Sequence, residues 1–377
     1  MHNIPFLDLK RVNLRYQPLI DEAVARVARS GRYLGGEETA TFETDFAAYI
    51  GTSYCVSCAN GLDALTLIYR SLLALGRLKE GDEVLVSANT YIASVLAITE
   101  CRLKPVFVEP DPFTLQISEE ALEKAITPRC KSLMIVHLYG RCAYSSRIGE
   151  LCKENNLILV EDNAQAHGCC FIDEKGCRKT GSLSLAAGHS FYPTKTLGAL
   201  GDAGAVTTDD MELAETVRAM ANYGSDRRYH NLFKGRNSRM DEIQAAVLRA
   251  KLHLLDEENK ERRTLADYYY RNLSSPGFSL PTKAPQLSHV YHLFPILLNN
   301  DVDREQWRSE LAHKGVNTDV HYPVPPHLQP CYKKAFGHLS LPVTEHIHRS
   351  VVSLPLFPGL TPQEIAYITE QVNTCAV

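Results

Sequence analysis

The sequence predicts an α/β fold in which a large domain with a mostly parallel sheet precedes a small α+β domain. Short apolar runs alternate with segments of helical periodicity up to about Asp209, which is typical of successive βα units. A second observation is the stretch Arg239 to Asn272, which indicates one long helix or two abutting helices leading out of the large domain. Because 377 residues with 45% hydrophobic content are long for one domain, we expect domains over residues 1–250 and 251–377.

The first βα unit supplies a turn that is suited to a phosphate group. A helix over residues 17–30, ended by Gly31, precedes it. Residues 54–57 form a strand pattern and helical spacing begins at Asp63, so the chain turns at Asn60-Gly61-Leu62 into a helix N-terminus. Backbone N–H groups and the helix dipole favour an anion there. An ordinary strand–turn–helix fits the same pattern and is preferred if the turn is considered alone.

The next predicted strand ends near an aromatic side chain. Gly81 and the apolar run over residues 84–86 predict a turn and a buried strand, and Tyr91 follows the carboxyl end of that strand. The ring of Tyr91 could lie over a second planar ring. A core or surface position is the alternative and is the more common role of a tyrosine.

A further predicted strand ends on two carboxylates. The run Leu157 to Val160 predicts a buried parallel strand, and Glu161 and Asp162 follow at its carboxyl end, where open α/β sheets bind ligands. A carboxylate in this place can hold a protonated ring nitrogen, and Gln165 could donate to a ring hydroxyl. The alternative is that the two acids cap a helix N-terminus.

Lys195 is the most informative residue of the chain. An aromatic and proline stretch precedes it and glycines follow it, from Gly198 to Gly204, which indicates a fixed loop in crowded surroundings. Such surroundings lower the pKa of a lysine and make its amine nucleophilic, as a Schiff base with pyridoxal 5'-phosphate requires. Alone, a surface lysine on a tight turn is an equal alternative. The acid, the phosphate turn and the aromatic upstream favour the cofactor.

The C-terminal part shows a simpler pattern. It predicts a strand at Val290–Leu298, a helix at Arg304–Lys314 and a final helix from Pro362. Prolines at 323, 325 and 326 predict an extended loop, because proline continues neither helix nor ladder. His321 and Tyr322 lie at the start of this loop and could reach a substrate.

Composition excludes several classes of function. The net charge of −4 and the pI near 6.4 give no reason to expect a nucleic acid partner, and no apolar run is long enough to cross a bilayer. Asp8 interrupts the region where a signal peptide would be apolar, so we expect a cytoplasmic protein. The 11 cysteines are scattered, and we expect reduced, buried thiols. Cys55 and Cys58 lack a second close pair, so we expect no metal site.

The ordered motifs together resemble the DegT/DnrJ/EryC1/StrS family of pyridoxal phosphate-dependent sugar aminotransferases. Matching segments run nearly from end to end of the chain. They are Ile4–Leu9, Ala59–Gly61, Asp63–Leu65, Gly81–Val84, Pro105–Val108, His137–Gly140, Glu161–Gly168, Ser190–Lys195, Asn237–Ala246, His321–Pro323 and His327–Pro330. The resemblance implies an aspartate-aminotransferase-like fold, the fold type I of pyridoxal phosphate enzymes.

The resemblance also implies cofactor-binding residues. Lys195 would be the catalytic residue and would bind pyridoxal phosphate covalently, and Asp162 rather than Glu161 would pair with the pyridine nitrogen. The other implied residues are Asn60, Gly61, Leu62 and Ser190 around the phosphate, Gln165 at the ring oxygen and Tyr91 over the ring. Leu62 departs from the family, which often has a threonine at this position. Without that hydroxyl, backbone N–H groups would contribute more of the contacts to the phosphate.

Substrate and partner residues are implied in the same way. Asn237 would reach the phosphate of the neighbouring subunit's cofactor, so that a homodimer completes each active site. Tyr192, His321 and Tyr322 would lie near the sugar. The amino donor would be L-glutamate.

The sugar is implied at the level of a subgroup. The segment Ala88–Thr99 and the continuation Lys104–Asp111 most resemble enzymes that aminate C3 of a nucleotide-linked 3-keto-6-deoxyhexose, with dTDP as the nucleotide. A 4-keto sugar aminotransferase and another pyridoxal phosphate chemistry on the same fold stay open. A sugar dehydratase of this fold would carry histidine in place of Lys195. A regulator would carry an added DNA-binding domain, which we do not expect here.

Overall fold

The computed structural model describes residues 3–174 and 176–375 and confirms the predicted α/β architecture. The strands are β1 (Tyr54–Cys58), β2 (Glu83–Ser87), β3 (Lys104–Val108), β4 (Cys130–Val136), β5 (Ile158–Asp162), β6 (Cys170–Asp173), β7 (Gly176–Lys179), β8 (Ala186–Ser190), β9 (Gly204–Thr208), β10 (Ser225–Arg227), β11 (His230–Asn231), β12 (Phe278–Ser279), β13 (Phe294–Leu298) and β14 (Val351–Leu354). The helices are α1 (Leu9–Leu14), α2 (Leu19–Ser30), α3 (Glu37–Ile50), α4 (Gly61–Ala74), α5 (Ile92–Glu100), α6 (Glu119–Ala125), α7 (Ser146–Glu154), α8 (Met211–Ala221), α9 (Glu242–Leu252), α10 (Leu255–Asn272), α11 (Arg304–His313), α12 (Pro330–Phe336), α13 (Pro342–Ser350) and α14 (Pro362–Asn373). Two short 3₁₀ segments lie at Leu138–Gly140 and Pro326–Leu328.

A seven-stranded sheet forms the centre of the large part, in the order β1-β9-β8-β5-β4-β2-β3. The pairs among β8, β5, β4, β2 and β3 are parallel, and β9 runs antiparallel to both of its neighbours. The carboxyl ends of β1, β2, β4, β5 and β8 therefore meet at one edge of the sheet, which is where such sheets bind ligands.

The stretch Arg239 to Asn272, predicted as one long helix or two abutting helices, contains two helices, α9 and α10, which are separated by His253 and Leu254. Beyond them, β12, β13 and β14 form an antiparallel sheet. Its apolar cluster also contains Ile4, Val12 and Ile20 from the beginning of the chain. The N-terminal residues thus pack with the C-terminal part, and the division of the chain at 250/251 stays a proposal about its folding units.

Helix α2 and strand β13 begin at later residues than predicted. Helix α2 ends at Gly31 as predicted, with φ of 68°, but begins after Pro18. Strand β13 begins at Phe294 rather than Val290. The amides of Val290 and Leu293 instead bond the carbonyls of the 3₁₀ segment Leu138–Gly140, at 2.8 and 3.3 Å, so these residues leave the sheet.

The prediction of uniformly reduced, buried cysteines was wrong. The hairpin of β6 and β7 brings the Cα atoms of Cys170 and Cys177 to 5.6 Å, and their sulfurs form a disulfide. Cys331 is exposed. Cys55 and Cys58 are free and buried on β1, as predicted for core cysteines. Across the described ranges, no helix combines the length and the apolar character that a bilayer crossing requires.

Candidate active site

A pocket of about 470 Å³ opens at the edge of the sheet where the strand ends meet. It contains every residue that sequence reasoning placed at the cofactor or sugar, except Asn237. Its lining is Asn60, Gly61, Leu62, Leu65, Thr90, Tyr91, Ala93, Val136, His137, Leu138, Asp162, Ala164, Gln165, Ser190, Tyr192, Thr194, Lys195, Asp202, His292, His321 and Tyr322. Five separate strand ends thus deliver their polar residues to one cavity.

Lys195 lies on the loop between β8 and β9 and lines this pocket. Its backbone N–H bonds the carbonyl of Tyr192 at 2.8 Å, and the loop is tight, because a Cβ on Gly198 would lie 2.3 Å from the carbonyl oxygen of Pro193. Burial lowers the pKa of Lys195 to about 8, although the nearby Asp162 carboxylate acts in the opposite direction. The neutral fraction of the amine near physiological pH is therefore far larger than that of an ordinary lysine, although most of the amine stays protonated.

We expect the reactivity of Lys195 in the cofactor-free protein to rise with pH around a midpoint near 8. The neutral amine is the nucleophile, so labelling by pyridoxal phosphate, trapped with borohydride, should fall about tenfold per pH unit below the pKa. Peptide mass spectrometry resolves the labelled lysine. A labelling rate at Lys195 that keeps rising above pH 10 would contradict the lowered pKa.

The two carboxylates at the end of β5 point to opposite faces of the sheet, because side chains alternate along a strand. Asp162 lines the pocket. Glu161 is fully buried on the other face, where it accepts from His137 Nε2 at 2.8 Å and from the amides of Gly181 and Leu183. The alternation thus leaves Asp162 as the pocket acid.

Asp162 is held by hydrogen bonds that sequence reasoning missed. Its Oδ2 accepts from the hydroxyl of Ser94 at 2.7 Å, and its Oδ1 accepts from the amide of Ala164 at 3.1 Å. The hydroxyls of Ser94 and Thr90 are 2.8 Å apart. Burial raises the pKa of Asp162, and these hydrogen bonds and Lys195 act against that rise. The spacing of four residues between Thr90 and Ser94 at the start of α5 was the available signal.

The turn before α4 has the geometry of an anion cradle. Asn60 caps the helix by accepting from the amide of Asp63 at 2.9 Å. The amides of Gly61 and Leu62, in the first turn of the helix, have no intrahelical carbonyl to bond. A Cβ on Gly61 would lie 2.4 Å from Cβ of Ser190, so only glycine fits there. The turn and the Ser190 hydroxyl therefore present several donors to one small space.

Aromatic and amide side chains form another part of the pocket wall. Gln165 Nε2 donates to the hydroxyl of Tyr322 at 2.9 Å, and Gln165 Oε1 accepts from the amide of Tyr139 at 2.6 Å. The rings of Tyr322 and Tyr91 are 4.9 Å apart. His321 bonds Ser353 at 3.0 Å, and burial lowers the pKa of His321 to about 4, so it is neutral near pH 7.

Two predicted residues are more exposed. Tyr192 lines the pocket with about half of its surface exposed, 51%. Asn237 is exposed and lies outside the pocket of its own chain, in an isolated bridge with Asn222. Nothing in a single chain brings Asn237 to the site.

The residues present fit the cofactor that the sequence implies. Lys195 Nζ has no hydrogen-bond partner among the described residues, and Asp162 forms no close ion pair with them. The turn at Gly61 has no room for a side chain at that position, and the backbone N–H groups of its first helical turn have no intrahelical acceptor. A phosphate, a protonated ring nitrogen and an aldehyde would each meet the group that suits it.

The chain belongs to the DegT/DnrJ/EryC1/StrS aminotransferase family, whose model matches residues 16–373. Members of this family are pyridoxal phosphate-dependent sugar aminotransferases, and the chain is an aminotransferase of that kind.

Particular relatives are similar over nearly the full chain. The chain is 47% identical to a dTDP-3-amino-3,6-dideoxy-α-D-galactopyranose transaminase of Aneurinibacillus thermoaerophilus, over 98% of this chain and 99% of that protein. It is 45% identical to a dTDP-3-amino-3,4,6-trideoxy-α-D-glucose transaminase of Streptomyces venezuelae, over 99% and 96%. The crystal structure of S. venezuelae DesV in complex with a ketimine intermediate superposes with a TM-score of 0.93 at 43% identity, covering 99% and 98% of the two chains.

Proposed function

We propose that this chain binds pyridoxal phosphate at Lys195, takes an amino group from L-glutamate and transfers it to C3 of a dTDP-linked 3-keto-6-deoxyhexose. The observation that carries the proposal is the convergence of Lys195, Asp162 and the Gly61 turn in one pocket. When bound, the cofactor supplies an aldehyde that accepts the amino group and a protonated ring that withdraws electrons from the reacting carbon.

Each group that lines the pocket has a separate role in the proposed reaction. Lys195 Nζ, whose lowered pKa raises its neutral fraction near pH 7, takes a proton from the carbon that carries the amino group and later returns a proton. Asp162 holds the proton of the ring nitrogen, and Ser94 keeps its carboxylate in position. The Gly61 turn and Ser190 bind the phosphate. Together these contacts fix the reacting carbon beside Lys195.

The sugar class rests on the relatives. Both transaminases described above are named for dTDP-linked 3-amino sugars, and they differ at C4, since one sugar lacks the C4 oxygen. This supports C3 amination and dTDP for the present chain. Amination of a 4-keto sugar is the alternative.

We also propose that two copies of the chain pair and share their sites. Asn237 is exposed and does not line the pocket of its own chain, which leaves its side chain available to a second chain. In the paired form Asn237 would donate to the phosphate in the partner's pocket.

The proposal predicts a visible absorption band that L-glutamate bleaches. The purified protein with pyridoxal phosphate should absorb in the visible because Lys195 binds the aldehyde, and glutamate should remove the band while 2-oxoglutarate forms. A band that glutamate leaves unchanged would contradict the donor. No band after addition of the cofactor would contradict the assignment of the site.

The amino form of the protein then tests the sugar. Addition of dTDP-linked 3-keto-6-deoxyhexoses, with and without a C4 oxygen, should restore the band in a single turnover, whereas 4-keto isomers should not. Recovery only with a 4-keto sugar would reverse the assignment of the aminated carbon.

A further inference from the structure

A second pocket of about 300 Å³ adjoins the first and shares Thr194, His292 and His321 with it. Its walls are largely apolar and bring together distant parts of the chain. The apolar lining residues are Phe6, Leu7, Leu9, Leu293 and Leu356, and the polar ones besides those shared are Arg262 and Asp319. The volume lies at the lower end of the range for small-molecule sites, about 300–1,000 Å³, and suits a small ligand.

Arg262 is the cation of this second pocket, and its guanidinium is poorly satisfied. Only 4% of the residue is exposed. Among the described residues, Nε has no hydrogen-bond partner, and Nη1 reaches only the carbonyl of Leu356, at 3.5 Å. Burial lowers its pKa, and Glu258, one turn earlier on α10, offsets part of that effect. The carboxylate of Glu258 also forms a hydrogen bond with Tyr16, so it is shared between Tyr16 and the Arg262 guanidinium.

His292 is a second unsatisfied group on the wall between the pockets. It is 8% exposed, and its Nδ1 has no hydrogen-bond partner in the described part of the chain. Buried polar groups in native proteins are nearly always paired, and an unpaired buried guanidinium is costly. Asp319 is the lining carboxylate, but it lies toward His321, at 3.8 Å, with about half of its side chain exposed. No lining carboxylate of the described residues therefore forms an ion pair with Arg262.

We propose that this second pocket binds a carboxylate of the amino donor, with Arg262 as the binding cation and His292 as a neutral hydrogen-bond partner. The inference rests on the proposed function, because the donor's amino group must reach Lys195 in the adjoining pocket. A dicarboxylate amino acid can place its amine in the first pocket and a carboxylate in the second. Arg262 thereby contributes to the choice of an acidic amino donor.

The direct test is binding of glutarate, a dicarboxylate without an amine, to the cofactor-loaded protein by calorimetry. Arg262→Gln should weaken glutarate binding about 10–100-fold, the effect of losing a charged hydrogen bond. Arg263→Gln is the matched control, because Arg263 neighbours Arg262 on α10 but lines a different pocket with Asp267 and Lys283. Glutarate affinity should be unchanged in the control.

The two half-reactions separate a binding role from a structural one. Arg262→Gln should raise the glutamate concentration needed for half-maximal bleaching by the same factor, while the reaction of the amino form with the sugar keeps its rate. Equal losses in both half-reactions, or unchanged glutarate affinity, would overturn the inference. The inference would also be overturned if Arg262→Gln weakened the binding of inorganic pyrophosphate but not that of glutarate. That result would mean that Arg262 binds the diphosphate of the sugar nucleotide.

Two further measurements cover a variant that does not fold. Arg262→Lys keeps the charge and should give an intermediate affinity for glutarate. If neither variant folds, a crystal structure of the wild-type protein with glutarate decides by whether a carboxylate lies within hydrogen-bonding distance of Arg262. Loss of the visible band or of glutamate bleaching in the wild-type protein would instead refute the proposed function itself.

Discussion

Lys195→Ala is expected to lower the transamination rate by about 10⁴-fold or more, because one side chain is both the attachment point and the proton carrier. The variant should still bind pyridoxamine phosphate, since the Gly61 turn and Asp162 stay in place. Single-turnover absorption measures the rate, and calorimetry measures the affinity. Substantial turnover in this variant would refute the assignment of Lys195.

Lys251→Met is the matched control for Lys195. Burial lowers the pKa of Lys251 to about 8 as well, but its Nζ bonds Asn13 at 2.6 Å and the carbonyl of Gly198 at 2.7 Å, outside the pocket. We expect this variant to lose about 1–3 kcal/mol of stability from the unmade hydrogen bonds and to keep its visible band. The comparison separates a lowered pKa from a position beside the reacting carbon.

Asp162→Asn is expected to lower the rate by about 10²–10³-fold, comparable to the loss of a preorganised electrostatic contact. A neutral amide cannot hold the proton of the ring nitrogen, so the ring withdraws electrons less strongly. The fold should persist, because the amide oxygen can take the place of Oδ1 and accept from the amide of Ala164, while the NH2 group can take the place of Oδ2 and donate to the hydroxyl of Ser94. Bleaching kinetics and thermal unfolding measure the two effects, and unchanged kinetics would place the acid elsewhere.

Glu161→Gln separates this effect from the loss of a buried carboxylate. Glu161 accepts from His137, the amide of Gly181 and the hydroxyl of Ser184 on the face opposite the pocket. We expect a loss of about 1–3 kcal/mol in the free energy of unfolding, with normal bleaching of the folded protein. Slow bleaching at full stability would mean that both carboxylates act on the site.

Much of the site could be predicted because its residues follow strand ends. Apolar runs indicate buried parallel strands, and the carboxyl ends of such strands share one edge of a sheet. The positions of Tyr91, Asp162 and Ser190 followed from this rule together with the family resemblance. The roles of His321 and Tyr322, on a loop with no periodic pattern, came from the resemblance alone.

Other features depended on contacts between distant segments. Ser94 meets Asp162 across 68 residues of sequence, and Phe6 lines the same pocket as Leu356. The Cys170–Cys177 disulfide depends on the hairpin of β6 and β7, which the local sequence pattern did not predict. Residues 290–293 were predicted to begin a strand, yet the amides of Val290 and Leu293 bond carbonyls of the segment Leu138–Gly140.

The sequence by itself determined the α/β class and the alternation of strands and helices up to about Asp209, and it predicts Lys195 as the reactive amine. Those conclusions rest on local periodicity, turn chemistry and ordered motifs, which are readable without knowledge of contacts. The tertiary structure decided which of Glu161 and Asp162 faces the pocket, what holds that acid, and that Arg262 lines a second pocket. Side-chain direction and burial depend on packing between segments far apart in the chain, because long-range burial sets the free energy of each contact.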